Sequence, residues 1–274
     1  MGIIIGIDVG ISTTKIVGLS EGKPVAPFRI TAADPITSLY GAFGKYLHDN
    51  NIGLEDVEQV MLTGVGAAYV KNDVLGVKTS RCDEFIADAL GARYESKIDH
   101  AIVVSMGTGT SFVMCQGDKM THIGGIGIGG GTLQGLSRLC LGTSDVKQVS
   151  ALAMQGNIKN INLLIGDITT QPLPGLPMDA TASIFARVKN DTAKEDVAAG
   201  IIGMVLQTIG SAAVLAAQGT GCRDMVLIGN LTLLPQCKEI FPALEKLYNV
   251  RFHIPKYSEF CTAIGAALAY NNKS

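Results

Sequence analysis

The chain carries one strand–turn–strand unit twice, and this repetition limits its fold more than any other feature. In the first copy, Gly6-Ile7-Asp8-Val9-Gly10-Ile11-Ser12-Thr13-Thr14-Lys15, an apolar strand from Ile3 to Ile7 ends on a carboxylate. A turn of small and hydroxyl residues follows, and Ile16 to Leu19 forms a second apolar strand. The second copy runs from Ile102 to Ser105, through Met106-Gly107-Thr108-Gly109-Thr110-Ser111, to a return strand from Phe112 to Cys115. Laying Asp8 on Ser105 also lays Gly10 on Gly107 and Thr13 on Thr110. Two such units about a hundred residues apart imply a duplicated α/β unit.

Turns of this composition present backbone N–H groups and hydroxyls together, which suits phosphate oxygens. Asp8 stands where a carboxylate can hold Mg²⁺, directly or through water. The pair predicts a nucleoside triphosphate gripped by hairpins in a cleft between two lobes.

The remaining pattern supports two lobes, 1–98 and 99–274. The first reads β-β-β-α-β-α. Its strands are Ile3–Ile7, Thr14–Leu19 and Pro24–Thr31, and its first helix starts near Pro35, with Ile36, Leu39, Tyr40, Phe43 and Leu47 on one face. A buried strand, Val57–Thr63, runs into Gly64 and Gly66, and Asp83–Tyr94 is a helix. The second lobe opens with strands Ala101–Met106 and Thr110–Gln116 and a short one near Met120–Ile123. Helices follow from Thr132 to about Leu141 and from Ser144 to about Gln155. Gln171 to Pro177 is a stiff, proline-rich surface connection. After a long apolar helix come strand Met225–Ile228, the turn Gly229-Asn230, a helix after Pro235, strand Arg251–Ile254 and a last helix near Thr262. Apolar strands alternating with helices predict an α/β fold with covered sheets.

With 274 residues, the chain has enough length for two lobes with real cores. A net charge of −2 gives no basic footprint for nucleic acid. Cys82, Cys115, Cys140, Cys222, Cys237 and Cys261 are scattered, with no Cys-x-x-Cys pair, which reads as reduced cytosolic thiols rather than a zinc site or disulfide framework. Met1 is followed at once by the first strand, so no signal peptide is expected there. Ala198 to Ala217 carries no charge and is long enough for a bilayer, but Gln207, Thr208, Ser211 and its glycines favour a central buried helix.

Gly124 to Gly131 holds six glycines in eight positions and runs into a helix N-terminus, where free N–H groups and the macrodipole favour an anion. Gly125-x-Gly127-x-x-Gly130 formally matches a dinucleotide fingerprint, but it follows a hairpin in mid-chain instead of opening a Rossmann unit, and Asp145 reads as a first-turn residue of the next helix. Glu84 opens a helix. It is either a general base toward a hydroxyl attacking a γ-phosphate or a first-turn carboxylate that favours the helix dipole. Gly229-Asn230 is either a plain turn or one facing a base or ribose. Ala263-Ile264-Gly265-Ala266-Ala267 suits close packing between lobes. Neither Gly22-Lys23 nor Gly44-Lys45 continues as a Walker A motif, and no Gly-x-Ser-x-Gly elbow occurs.

These motifs, in this order, resemble the type II pantothenate kinases of the actin, sugar-kinase and Hsp70 superfamily. The resemblance rests on Gly6-Ile7-Asp8-Val9-Gly10 with Lys15, Asp83-Glu84-Phe85, Gly107-Thr108-Gly109-Thr110-Ser111, Gly124-Gly125-Ile126-Gly127 with Gly129-Gly130-Gly131, Leu152 to Gly156, and Ile228-Gly229. It implies a two-lobed actin-like ATPase fold, ATP- and Mg²⁺-dependent phosphorylation of pantothenate in coenzyme A synthesis, a homodimer and a cytoplasmic location. Carried over, Asp8 would orient Mg²⁺ and phosphate, with Gly10, Ser12 and Lys15 beside the phosphates. Glu84 would be the base. Thr108, Gly109 and Thr110 would shape the junction of substrate and phosphates, Gly127, Gly129, Gly130 and Gly131 would wrap the triphosphate, and Gly229 would sit on the nucleotide side.

Two positions depart from the family pattern. Ile11 and Ser12 stand where Gly-Thr is usual, and His122 stands where an arginine reaches the substrate carboxylate. Arginine offers a permanent two-pronged grip, whereas histidine offers one or two donors and is partly charged near neutrality. His122 leaves open a kinase of another hydroxylated metabolite. The start also resembles ATP-driven dehydratase activators that hold an iron–sulfur cluster by cysteines, for which no cysteine here is plainly placed. A nucleotide-binding regulator is a third alternative, against which Asp8, Glu84 and Gly109 stand.

Overall fold

Residues 2–11, 13–31 and 34–270 are described in the structure, a computed structural model. The first half contains β1 (Ile3–Val9), β2 (Thr13–Ser20), β3 (Lys23–Thr31), α1 (Pro35–Asn50), β4 (Val57–Thr63), β5 (Thr79–Arg81) and α2 (Glu84–Ser96). The second opens with β6 (His100–Met106), β7 (Thr110–Gln116), β8 (Lys119–Ile126), α3 (Gly130–Leu141) and α4 (Val146–Ala153). An excursion of β9 (Leu163–Leu164), α5 (Ile165–Ile168) and β10 (Thr181–Ser183) precedes α6 (Lys194–Ala217), β11 (Asp224–Ile228), α7 (Cys237–Tyr248), β12 (Arg251–His253) and α8 (Cys261–Leu268).

Read from its parallel edge, the first sheet has the order β5-β4-β1-β2-β3, and the second has β12-β11-β6-β7-β8. In each, a central strand pairs antiparallel with the strand that follows it and parallel with a later one. The duplication expected from the two hairpins thus extends to all five strands of each half.

The strands are apolar because both faces of each sheet are covered. Helix α1 covers the outer face of the first sheet, burying Leu39, Phe43 and Tyr46 against Ile5, Ile7 and Leu62. Asp34 starts this helix by accepting from the N–H of Thr37, with Pro35 in the first turn. On the outer face of the second sheet lies α6, whose Ile201, Val205 and Ile209 are buried in the larger core with residues of α3, α4 and α7. Among the described residues it is the one helix long and apolar enough to cross a membrane, and its buried side fills the core.

The two inner faces are covered by exchange. Helix α2, from the first half, packs on the second sheet, where Ala89 and Ala92 meet Val103, Val113 and Val226. Helix α8, from the second half, packs on the first sheet, where Ala266 and Ala267 meet Ile4 and Met61. Between the sheets, α2 and α8 touch backbone to backbone. A Cβ on Gly265 would fall 1.8 Å from the Ala87 carbonyl oxygen, and one on Gly91 would fall 1.8 Å from that of Cys261. The small residues of the last helix therefore do pack closely at the interface.

Three expectations need adjusting. Strand β5 has no counterpart in the sequence reading, because Thr-Ser-Arg lacks an apolar signal. Strand β8 runs through Gly124 and Gly125 to Ile126, so the glycine stretch is half strand; the ladder to β7 forces this by pairing Ser111 with Gly125 and Thr110 with Ile126. Asp145 precedes α4 as its N-cap, accepting from the N–H groups of Lys147 and Gln148.

Candidate active site

The first hairpin sets a buried ion pair at the end of β1. Asp8 lies opposite Lys15 in the ladder, with Lys15 Nζ 3.6 Å from Asp8 Oδ2. Burial raises the carboxyl of Asp8 above its ordinary range, and the ammonium of Lys15 pulls in the other direction without cancelling the rise. The Gly10 N–H donates to the Thr13 carbonyl at 3.0 Å and closes the turn. Ser12 lies outside the described residues. Ile11 is 63 % exposed, so its bulk points to solvent rather than into the turn.

On the other side of Asp8, β4 ends at Thr63, and Gly64 follows it. Gly64 has φ +84°, and a Cβ there would stand 2.6 Å from Asp8 Oδ1. Only glycine takes this conformation readily and leaves the carboxylate room. The second half repeats the device. Gly229 follows β11 with φ +93°, and its Cβ would fall 2.6 Å from the Met106 carbonyl oxygen.

The second hairpin turns at Gly107–Gly109, and the glycine segment lies across it. Gly130 and Gly131 donate their N–H groups to the carbonyls of Gly107 (2.8 Å) and Thr108 (2.9 Å). The Thr110 hydroxyl donates to the Ile128 carbonyl, and that of Thr132 to the Gly127 carbonyl. The first N–H groups of α3 are thus bound to the hairpin, not free as the sequence suggested. Among the described residues, the N–H groups of Gly107, Thr108, Gly109, Gly127 and Ile128 make no hydrogen bond, and they are the donors this corner offers an anion. Asn230, just after Gly229, reaches across to the first hairpin, its Nδ2 3.5 Å from Thr13 Oγ1.

Glu84 is the first residue of α2. Asp83 caps the helix, accepting from the N–H groups of Phe85 (2.9 Å) and Ile86 (3.1 Å). Burial above all, then the charges of Asp8 and Asp83, push the Glu84 carboxyl up to about 7, against the opposing pull of Lys15. One helical turn on, Asp88 is wholly buried and also raised to about 7, chiefly by burial, although Thr262 donates to its Oδ1 at 2.6 Å. Three carboxyls, Asp8, Glu84 and Asp88, therefore lie close enough for the charge of one to raise another, and the Lys15 ammonium pulls the other way at Asp8 and Glu84. His122 comes from β8 and stacks on Phe85, ring centroids 3.8 Å apart and planes 12° from parallel. That stack ties β8 to the first turn of α2, the turn that Glu84 opens.

These groups can hold a polyanion near Lys15 and the unpaired N–H groups, and can accept a proton at Glu84. Comparison with known proteins gives the family and the fold. The model of the Fumble family matches residues 37–239. A type II pantothenate kinase of Staphylococcus epidermidis (strain ATCC 35984) is 32% identical over 185 residues, covering 64% of this chain and 69% of that protein. A type II pantothenate kinase of Bacillus cereus (strain AH820) is 27% identical over 243 residues, 82% of each. Among solved structures, the activator of 2-hydroxyisocaproyl-CoA dehydratase from Clostridium difficile, with bound ADPNP, superposes with a TM-score of 0.71 at 18% identity, over 99% of this chain and 95% of that one. A ROK family glucokinase from Streptomyces griseus, in complex with glucose and AMPPNP, gives 0.61 at 13% identity over 98% and 99%. The structural likenesses establish the two-lobed actin-like fold, and the match across most of the sequence shows that the chain belongs to the Fumble family.

Proposed function

We propose that this protein is an ATP-dependent kinase that phosphorylates the hydroxyl of pantothenate, giving 4′-phosphopantothenate, the first step of coenzyme A synthesis. The observation that carries this reading is the Glu84 carboxyl, raised to about 7 beside the Asp8–Lys15 pair, in a chain related to type II pantothenate kinases. A base with a pKa near the working pH combines availability with proton affinity.

In this reading Glu84 takes the proton of the acceptor hydroxyl as its oxygen attacks the γ-phosphorus. A bond forms from that oxygen to phosphorus, the bond from phosphorus to the β,γ-bridging oxygen breaks, and ADP leaves. Gly10 and Lys15 face the phosphates from the first hairpin, and Ser12, outside the described residues, is assigned to the phosphates by the family resemblance alone. Thr108, Gly109 and Thr110 face them from the second, with Gly127, Gly129, Gly130 and Gly131 shaping the cover and Gly229 on the nucleoside side. Asp8 fits Mg²⁺: its oxygens are hard donors, and one carboxylate with substrate phosphates is a common way to bind that ion. Mg²⁺ when bound would neutralise phosphate charge. In the same reading His122, stacked on Phe85, meets the far end of the acceptor. Lobes divided near residue 98, between α2 and β6, a homodimer and a cytoplasmic location belong to the same reading; light scattering tests the dimer.

The test is ADP release by purified protein with MgATP and a panel of pantothenate-like alcohols. Turnover on pantothenate is expected, and Glu84→Gln should lower kcat by about 10²–10⁴. Turnover on another alcohol with none on pantothenate would assign a different acceptor. Replacement His122→Arg should lower KM for pantothenate by supplying a two-pronged grip. An unchanged KM would remove His122 from the acceptor site.

A further inference from the structure

Asp88 has no place in the reaction above, yet it is a carboxyl with 0% exposure in the densest contact of the molecule. Helices α2 and α8 meet there through small residues and bare backbone: Ala87 against Gly265, and Gly91 against Cys261. The glycine notches seat each backbone closely against the other, and Leu90 packs into the same cluster as Ala266 and Ala267. Apolar packing thus holds the helices together, and a polar pair adds a directional contact that distinguishes one register from the next. Among the described residues, one side-chain hydrogen bond joins these two helices, from Thr262 Oγ1 to Asp88 Oδ1 at 2.6 Å. Asp88 Oδ2 is buried and has no partner in hydrogen-bond geometry, while Ser105 of β6 lies close enough to favour the charged carboxylate. A buried polar pair in an apolar helix contact fixes register at some cost in stability.

Register matters here because of what each helix carries. Asp88 lies four residues after Glu84, on the same face of α2. Thr262 is followed by Ala263, whose carbonyl would be struck by a Cβ on Gly6 in β1, two residues before Asp8. A chain of direct contacts therefore runs from Glu84 through Asp88, Thr262 and Ala263 to the strand bearing Asp8.

We propose that the Asp88–Thr262 pair is the register pin of the lobe junction, and that Asp88 is a positioning residue that sets the reach of Glu84 toward the phosphates held at the Asp8 hairpin. The proposal rests on Glu84 being the base, so Glu84→Gln is measured alongside. Thr262→Val, which removes the donor but keeps the shape, should lower kcat on the order of tenfold to a hundredfold with KM for ATP within about twofold, since small displacements of a reacting group cost that much. Thr262→Ser should restore most of the loss. Asp88→Leu should lose as much as Thr262→Val, and the double variant no more than either alone. Should Thr262→Val fail to fold, Thr262→Ala is read in the same way.

Wild-type kcat in the folded Thr262 variant overturns the pin while leaving the base assignment intact. So does a loss that reaches KM equally and is not restored by serine, which marks general loosening. Undiminished turnover in Glu84→Gln overturns both.

Discussion

Glu84 owes its unusual proton affinity to its surroundings, and those can be altered one at a time. Because its carboxyl is raised to about 7, the base form grows as pH rises, and kcat/KM for the acceptor should climb to a plateau above about pH 7. Lys15 favours the ionised form, so Lys15→Met should move the acid limb to higher pH, whatever it does to the plateau. Replacement Asp83→Asn removes a charge that raises Glu84 while keeping a good N-cap, and should move the limb down. Limbs that stay put in both variants would mean that another group governs the profile. Of these residues, Asp8 stands out in the sequence at the end of an apolar strand, Glu84 at a helix start reads equally as a base or a first-turn carboxylate, and Lys15 takes a role only through the family resemblance. Asp88 does not stand out: its partner Thr262 is 174 positions away, and nothing near either residue announces the pair. The stack of His122 on Phe85 was hidden for the same reason.

Among elements, legibility followed apolar content. Strand β4 was read with its observed bounds because Val60, Met61 and Leu62 are apolar and covered on both faces. Strands β5, β9 and β10 are two or three residues long, too short for any periodicity to register. The glycine segment misled because composition marks where backbone approaches backbone, not whether that backbone is strand or loop. Glycines also separate into classes that substitution will expose. Gly265→Ala pushes a Cβ into the Ala87 carbonyl, which cannot give way, and should destabilise by about 3 kcal/mol in a denaturant titration. Gly41→Ala, in α1 with nothing within 4 Å of the new carbon, should stabilise by about 1 kcal/mol. If the two variants unfold at one denaturant concentration, the contact between α2 and α8 is looser than described.

For the whole molecule, the crowding of carboxyls has a thermodynamic signature. Glu84 and Asp88 bind protons more tightly folded than unfolded, each raised to about 7 from ordinary values near 4. Their contribution is complete below the unfolded pKa and is lost as pH rises through the folded one. Stability should therefore decline between about pH 4 and 7 on their account, and Asp88→Asn should flatten that decline. An unaltered slope of Tm against pH would show that Asp88 is ionised throughout. The exchange of inner helices carries one more consequence. Neither repeat owns the element that seals its own sheet, so each is an unfinished object until the other arrives. Severed in the turn at Lys97-Ile98, the two pieces should be insoluble when made apart and active when refolded as a mixture, as interlocking halves would be.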